Sequence, residues 1–116
     1  MTKTCHVVLI FPDGHEAALE VPDTMFVLDA AMEAGLSLPY TCLQGWCITC
    51  AGRVLNAAAS ECVDNRAALR YYLADAEAGF VLLCTGRALR DCRISVYQTA
   101  AMKVHRRQHH LPAPQG

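Results

Sequence analysis

The chain has 116 residues, of which 53% are hydrophobic and 18% are charged, and its formal net charge is −1 at pH 7. This length suits one domain with a buried core, and the composition excludes an intrinsically disordered chain. The longest apolar run, AGFVLLC, is far shorter than the roughly 20 residues that cross a bilayer, so no membrane insertion is expected. The first ten residues lack a signal-peptide pattern, so we expect a soluble, unexported protein.

The predicted elements follow one another as strand, strand, helix, long loop, strand, helix, strand, strand. Residues 5–11 and 16–21 form a predicted hairpin, and residues 23–35 form a predicted helix with Asp23 or Thr24 as N-cap. An irregular loop over residues 40–50 leads to a predicted strand over residues 51–56. A second helix, capped by Asp64, is predicted over residues 64–79, and the last strands are predicted over residues 80–84 and 92–98. This order predicts an α+β fold, a mixed sheet with one or two helices packed on one face.

Charge is distributed unevenly along the chain. Residues 1–98 carry seven Lys and Arg against eleven Asp and Glu, a net of 7 − 11 = −4, whereas residues 99–116 carry Lys103, Arg106 and Arg107 and no acid, a net of +3. The sequence thus predicts a domain over residues 1–98 and a basic extension over 99–116 whose end is disordered. Three charges are too few to indicate a nucleic acid or membrane partner.

The cysteine pattern carries the chemistry. Cys42, Cys47 and Cys50 stand in C-x4-C-x2-C spacing, and Cys84 follows 34 residues after Cys50. This is the plant-type ligand spacing for a 2Fe-2S cluster. Four thiolates bring the oxidised site to a charge of −2, so backbone N–H groups around Gly45 and the hydroxyls of Thr41 and Thr49 are expected to hydrogen-bond the sulfurs.

Other interpretations of the cysteines remain open. A zinc site would usually repeat the C-x2-C pair, and only Cys47 and Cys50 form one. A thioredoxin-like redox pair would lie at a helix start after a strand. Cys5 and Cys92 are expected in the core, and Cys62 is expected on the surface. The tail histidines, His105, His109 and His110, are expected to be solvated, and nothing links His6 or His15 to chemistry.

The segments VLDAAMEAGLSLPYTC, CAGRV and AGFVLLC resemble those of the plant-type 2Fe-2S ferredoxins, which are small β-grasp electron carriers of cyanobacteria and plastids. The resemblance covers about residues 5–98. It implies a β-grasp fold, a 2Fe-2S cofactor held by Cys42, Cys47, Cys50 and Cys84, and a one-electron carrier in the cytoplasm or plastid stroma. The implied partners are reductases, other oxidoreductases and photosystem I. We expect a monomer, and the charge distribution predicts that its acidic body docks on basic partners.

Departures from the family concern the cluster loop and the tail. Leu43 and Ile48 stand where family members often have Arg and Ser, so a midpoint potential at or below roughly −400 mV is expected. Trp46 replaces a small residue and is either a lid over the cluster or an anchor for a partner. Because of the basic tail, we expect inefficient electron transfer to the photosynthetic NADP reductase. The alternatives are a component dedicated to one oxygenase or dehydrogenase system, or a zinc-bound or cluster-free β-grasp interaction module.

Overall fold

The computed structural model describes residues 3–40, 43–44, 46, 48–55 and 57–113. The strands are β1 (Thr4–Ile10), β2 (Glu16–Pro22), β3 (Ala51–Val54), β4 (Val63–Asp64), β5 (Phe80–Leu82), β6 (Arg87–Ala88) and β7 (Cys92–Ser95). The helices are α1 (Val27–Glu33), α2 (Ala59–Cys62), α3 (Leu73–Glu77) and α4 (Thr99–Gln108). In the described part of the chain, no helix combines the length and the apolar character needed to cross a membrane.

Five strands form a mixed sheet in the order β2-β1-β7-β3-β5. β1 pairs antiparallel with β2 and parallel with β7, while β3 is antiparallel to both β7 and β5. Alternate residues of β1, namely Cys5, Val7 and Leu9, are fully buried, so one face of the sheet lies on the core. The predicted α+β mixed sheet of the β-grasp type is confirmed.

Helix α1 begins later than predicted. Its N-cap position is Phe26, and no side chain caps it. The backbone N–H groups of Val27 and Leu28 donate instead to the carbonyls of Gly86 (2.8 Å) and Leu83 (3.0 Å). These tertiary hydrogen bonds satisfy donors that a capping side chain would otherwise serve, and the prediction of Asp23 or Thr24 as N-cap is wrong.

The predicted helix over residues 64–79 is reduced to α3, with five residues. Asp64 belongs to β4 rather than to a cap, and the Leu69 N–H donates to the Gln44 carbonyl at 3.0 Å, which holds this stretch against the preceding loop. The Asp75 carboxylate accepts the Tyr72 N–H at 3.0 Å and thereby fixes the start of α3. The predicted end is confirmed, because Gly79 adopts φ +89° there.

Helix α4 is the largest difference from the sequence predictions. No regular element was expected after residue 98, yet α4 packs with Met102 and Arg106 fully buried and His105 only 7% exposed. The prediction of His105 as a solvated tail residue is therefore wrong, whereas His109 and His110 are exposed as expected. The boundary at residue 98 stays a prediction, and the expected disordered end at residues 114–116 lies outside the described residues.

Candidate metal centre

Two of the four predicted ligands meet at the end of the β3–β5 pair. Cys50 directly precedes β3 and Cys84 follows β5 two residues after its end. Ala51 pairs with Leu82 in antiparallel register, and the Leu83 N–H donates to the Cys50 carbonyl at 3.3 Å. Antiparallel pairing therefore brings two cysteines 34 residues apart to the same end of the sheet, with both side chains buried.

The two sulfurs are close enough to share a metal. The Cys50 Sγ and Cys84 Sγ atoms lie 3.2 Å apart, well beyond the roughly 2.05 Å of a disulfide bond. A tetrahedral metal with metal–sulfur bonds of about 2.3 Å would hold two thiolates about 3.8 Å apart. The pair fits one metal ion after a shift of some tenths of an ångström. The other two predicted ligands, Cys42 and Cys47, lie outside the described residues, as do Thr41 and Gly45.

Asn65 secures the strand that leads to Cys84, and no sequence pattern marks this residue. Its side chain is 6% exposed and bridges β5, donating to the Leu82 carbonyl at 2.8 Å and accepting the Leu82 N–H at 3.2 Å. A further contact joins its Nδ2 to the Thr85 hydroxyl at 3.4 Å. A buried amide thus replaces a missing neighbouring strand on both sides of Cys84.

Ile48 and Leu43, the two departures in the ligand loop, have opposite environments. Ile48 is fully buried and anchors the loop in the core, so no hydroxyl donor stands at this position. Leu43 is 50% exposed and adopts φ +57°, a conformation that costs a branched side chain energy. The loop thus presents an apolar side chain to solvent between the first two predicted ligands.

Trp46 is 39% exposed, and the Arg70 guanidinium lies 5.4 Å from the centre of its ring. This distance permits a cation–π contact. The indole is therefore partly covered by the protein and partly open to solvent. Its roles as a lid over the cluster and as an anchor for a partner both stay predictions.

The start of α4 holds the ligand loop from the other side. The Thr99 hydroxyl donates to the Thr49 carbonyl at 2.8 Å, and the Gln98 N–H donates to the Ala51 carbonyl at 3.1 Å. These bonds flank Cys50 in the sequence. The C-terminal helix therefore fixes the backbone on both sides of a predicted ligand, a function that the tail composition did not indicate.

The end of α4 is fastened by a fully buried ion pair. Arg106 Nε and a terminal nitrogen reach the two Asp75 carboxylate oxygens at 3.0 and 2.8 Å, and both side chains are fully buried. The same guanidinium donates to the carbonyls of Pro112 (2.7 Å) and Arg70 (3.1 Å). His105 Nε2 lies 3.0 Å from the Asp75 carboxylate as well. Since Arg70 stacks on Trp46, this network connects α4 to the ligand loop.

The remaining cysteines form a second, buried group. Cys5, Cys62 and Cys92 are at most 3% exposed, which confirms the core prediction for Cys5 and Cys92 and shows the surface prediction for Cys62 to be wrong. Burial raises the pKa of the Cys92 thiol to about 12 and also raises the pKa of Cys62. Both thiols are therefore neutral at physiological pH, unlike thiolates that bind a metal.

Comparison with known proteins covers most of the chain. Residues 10–89 match the family model described as a 2Fe-2S iron-sulfur cluster binding domain. Over 94 residues the chain is 36% identical to Ferredoxin-6, chloroplastic, of Zea mays, covering 79% of this chain and 57% of the maize protein. It is 33% identical to Ferredoxin-2 of a Synechococcus strain over 82% of this chain and 86% of that protein. The chain thus spans little more than half of the maize relative.

Similarity also extends to components of larger redox proteins. Over 68 residues, 59% of this chain and 19% of the relative, the chain is 43% identical to the terephthalate 1,2-dioxygenase reductase component 1 of a Comamonas species. Among solved structures, Pectocin M2 matches with a TM-score of 0.71 and 27% identity over 83% of this chain and 33% of that chain. The ferredoxin reductase in carbazole 1,9a-dioxygenase matches with a TM-score of 0.59 and 27% identity. The match covers 81% of this chain and 28% of that chain.

Proposed function

Because this chain belongs to the family of 2Fe-2S iron–sulfur cluster binding domains, we propose that it carries single electrons between larger redox proteins. It is a divergent protein of the ferredoxin type, its cofactor is a 2Fe-2S cluster, and it is an electron-transfer protein rather than an enzyme, as the sequence predicted. When bound, the cluster takes up and releases one electron at low potential. The approach of Cys50 Sγ to Cys84 Sγ within the matched domain is the observation that carries the proposal.

We place the cluster on Cys42, Cys47, Cys50 and Cys84. The C-x4-C-x2-C spacing and the distant fourth cysteine support this ligand set. The 3.2 Å sulfur separation further supports Cys50 and Cys84 as ligands of the same iron. Asn65, Thr99 and Ile48 would then hold the ligand backbone in place without touching the metal.

Serine substitution of single cysteines tests the ligand set. Cys50→Ser and Cys84→Ser are expected to abolish or weaken the cluster, whereas the core variant Cys5→Ser should retain it. Iron and acid-labile sulfide per chain, visible charge-transfer bands and the electron-spin signal of the reduced protein are measured after anaerobic reconstitution. Two irons and two sulfides per chain are expected. A colourless protein that binds zinc and no sulfide would support the zinc module instead.

The oxygenase-related similarities favour a second candidate, a carrier dedicated to one oxygenase or dehydrogenase system. The 43% identity to the Comamonas reductase component exceeds the identity to either ferredoxin, although over a shorter stretch. Reduction rates of the purified protein by illuminated photosystem I particles and by an NADH-dependent oxygenase reductase separate the candidates. A general photosynthetic carrier accepts electrons rapidly from photosystem I, and a dedicated carrier accepts them mainly from the reductase.

We further propose that the carrier is a monomer in a reducing compartment, the cytoplasm or a plastid stroma. Cys5, Cys62 and Cys92 all remain thiols in the core, as is common where disulfides are kept reduced. Sedimentation of the reconstituted protein at two concentrations tests the monomer. A concentration-dependent increase in mass would contradict it.

A further inference from the structure

An exposed apolar depression lies beside the cluster loop. It has a volume of about 360 Å³ and is lined by Phe26, Leu43, Gln44, Ala67, Leu69 and Thr85. Leu43 is 50% exposed and Leu69 is 63% exposed, and the hydrogen bond from the Leu69 N–H to the Gln44 carbonyl holds the two segments together. Leu43 directly follows Cys42 in the sequence, so this surface adjoins the proposed cluster.

Two arginines lie at the edge of this apolar surface, and a third lies beside the ligand loop. A second depression of about 330 Å³ shares three of its lining residues with the first and adds Arg66, Arg87 and Asp64. Arg87 lies with its guanidinium 4.8 Å from the centre of the Phe26 ring, and the Arg66 side chain is 91% exposed. Arg70, over Trp46, adds a third cation next to the ligand loop. We call these three arginines and the apolar depression the arginine-rimmed face.

The charge of this face is opposite to that of the domain as a whole. Among the described residues that line the two depressions, Asp64 is the one carboxylate, and Arg66 binds it at 2.7 Å. Before the charge of the adjoining cluster is added, three cations against one anion give the side chains of the face 3 − 1 = +2, although residues 1–98 carry −4 in total. The expectation of basic partners from overall charge therefore does not describe the surface nearest the cluster.

We propose that the arginine-rimmed face docks a redox protein whose own docking surface is apolar at its centre and rimmed by carboxylates. This inference rests on the proposed function, because it names the partner chemistry for the same cluster. Exposed leucines provide the apolar contact, and complementary charge orients the approach and raises the association rate. Docking here places the partner next to the ligand loop, which shortens the distance that the electron crosses.

Two small cobalt(III) oxidants of opposite charge probe the face on the reconstituted holoprotein. The dithionite-reduced protein is oxidised by hexaamminecobalt(III), a trication, and by the cobalt(III)–EDTA complex, a monoanion, in stopped-flow experiments. Arg66→Glu and Arg87→Glu each change the local charge by −2. For a probe about 10 Å away at 0.1 M salt, each variant should speed the trication about fivefold and slow the monoanion slightly less than twofold.

Arg93→Glu is the matched control. Arg93 is likewise an exposed arginine in an ion pair, here with Glu16 at 3.1 Å, and it lines neither depression. Arg93→Glu should change the rates of oxidation by the two cobalt complexes much less than Arg66→Glu and Arg87→Glu do. Equal effects at Arg66, Arg87 and Arg93 would show that only net charge matters and would overturn the proposal. A protein that holds no cluster or exchanges no electron with either oxidant would refute the proposed function instead.

A redox-inert probe gives a second readout. Paramagnetic hexacyanochromate(III), a trianion, should broaden the amide signals of residues 86–88 at lower concentration than those of residues 13–16, and Arg87→Glu should remove this preference. Broadening without preference would contradict the proposal. A dimer that forms with concentration and disappears in Leu69→Ser would also overturn it, since the face would then bind a second copy of this chain.

Discussion

The buried pair of Arg106 and Asp75 is expected to decide whether the C-terminal helix stays docked. Replacing Arg106 with leucine removes two hydrogen bonds to the carboxylate and those to the carbonyls of Pro112 and Arg70. In the described part of the chain, Asp75 keeps the Tyr72 N–H and His105 as partners, each at 3.0 Å. A buried carboxylate is thereby left without its main counter-charge.

The expected loss in the free energy of unfolding is about 3–5 kcal/mol, the usual cost of removing one partner of a buried ion pair. A protein of this size has only about 5–15 kcal/mol of stability in total. The double variant Asp75→Leu with Arg106→Leu should lose less than the single variant, because it leaves no unpaired buried charge. Its remaining loss comes from the carbonyls of Pro112 and Arg70, which no longer have a donor, and from the Tyr72 N–H and His105, which no longer have the Asp75 carboxylate.

Urea titration of the holoprotein, read anaerobically by cluster absorbance after a fixed time, measures the effect. With a slope of about 2 kcal/mol per molar urea, the midpoint should fall by about 2 M. The same substitution at the neighbouring, exposed Arg107 serves as control and should shift the midpoint by less than about 0.3 M. Equal midpoints for the two variants would refute the reasoning that α4 is fastened by Arg106.

Three further predictions concern the glycine at the α1 contact, the ligand loop and the buried thiols. Gly86→Ala should lower the free energy of unfolding by about 1–3 kcal/mol, because the added Cβ would lie 2.8 Å from the Leu82 carbonyl; urea titration that shows no loss would contradict this. Leu43→Arg should raise the midpoint potential without loss of stability, because Leu43 is half exposed. Ile48→Ser should also raise the midpoint potential, but it should lower the free energy of unfolding by about 3 kcal/mol, because Ile48 is fully buried. Redox titrations without an upward shift would refute both predictions. Burial raises the pKa of Cys92 to about 12, so above about pH 9 the unfolded chain loses a thiol proton that the folded chain keeps. The free energy of unfolding should therefore fall with rising pH by about 1 kcal/mol per unit, and more slowly in Cys92→Ala, as unfolding titrations at pH 8, 9 and 10 would show.

The sheet could be predicted because each of its strands has a recognisable local sequence pattern. The five strand segments have alternating or continuous apolar residues bounded by turns, and all five occur in the sheet. The helices were predicted less well. α1 is capped by carbonyls that are distant in sequence, and the stretch before α3 is held by the hydrogen bond from Leu69 to Gln44. Such tertiary partners leave no periodic signal in the sequence.

Cysteine spacing predicts the four candidate ligands, whereas nothing in the sequence predicts the residues that support Cys50 and Cys84. The spacing pointed to Cys50 and Cys84, and the structure brings their sulfurs together. Asn65, Thr99 and Arg106 act through single hydrogen bonds and ion pairs to partners 17 to 50 residues away. A polar residue that will be buried is indistinguishable in sequence from one that will be solvated, which is why the basic tail was expected to be irregular.

The central place of β7 in the sheet has a consequence for synthesis on the ribosome. Val7 pairs with Cys92, so β1 can pair with β7 only after a further 92 − 7 = 85 residues have been synthesised. Such long-range pairing slows folding, and the sheet can close only after residue 95 has left the exit tunnel. The β3–β5 pair that joins Cys50 and Cys84 needs no residue beyond Cys84, so it can form before β7 is added to the sheet.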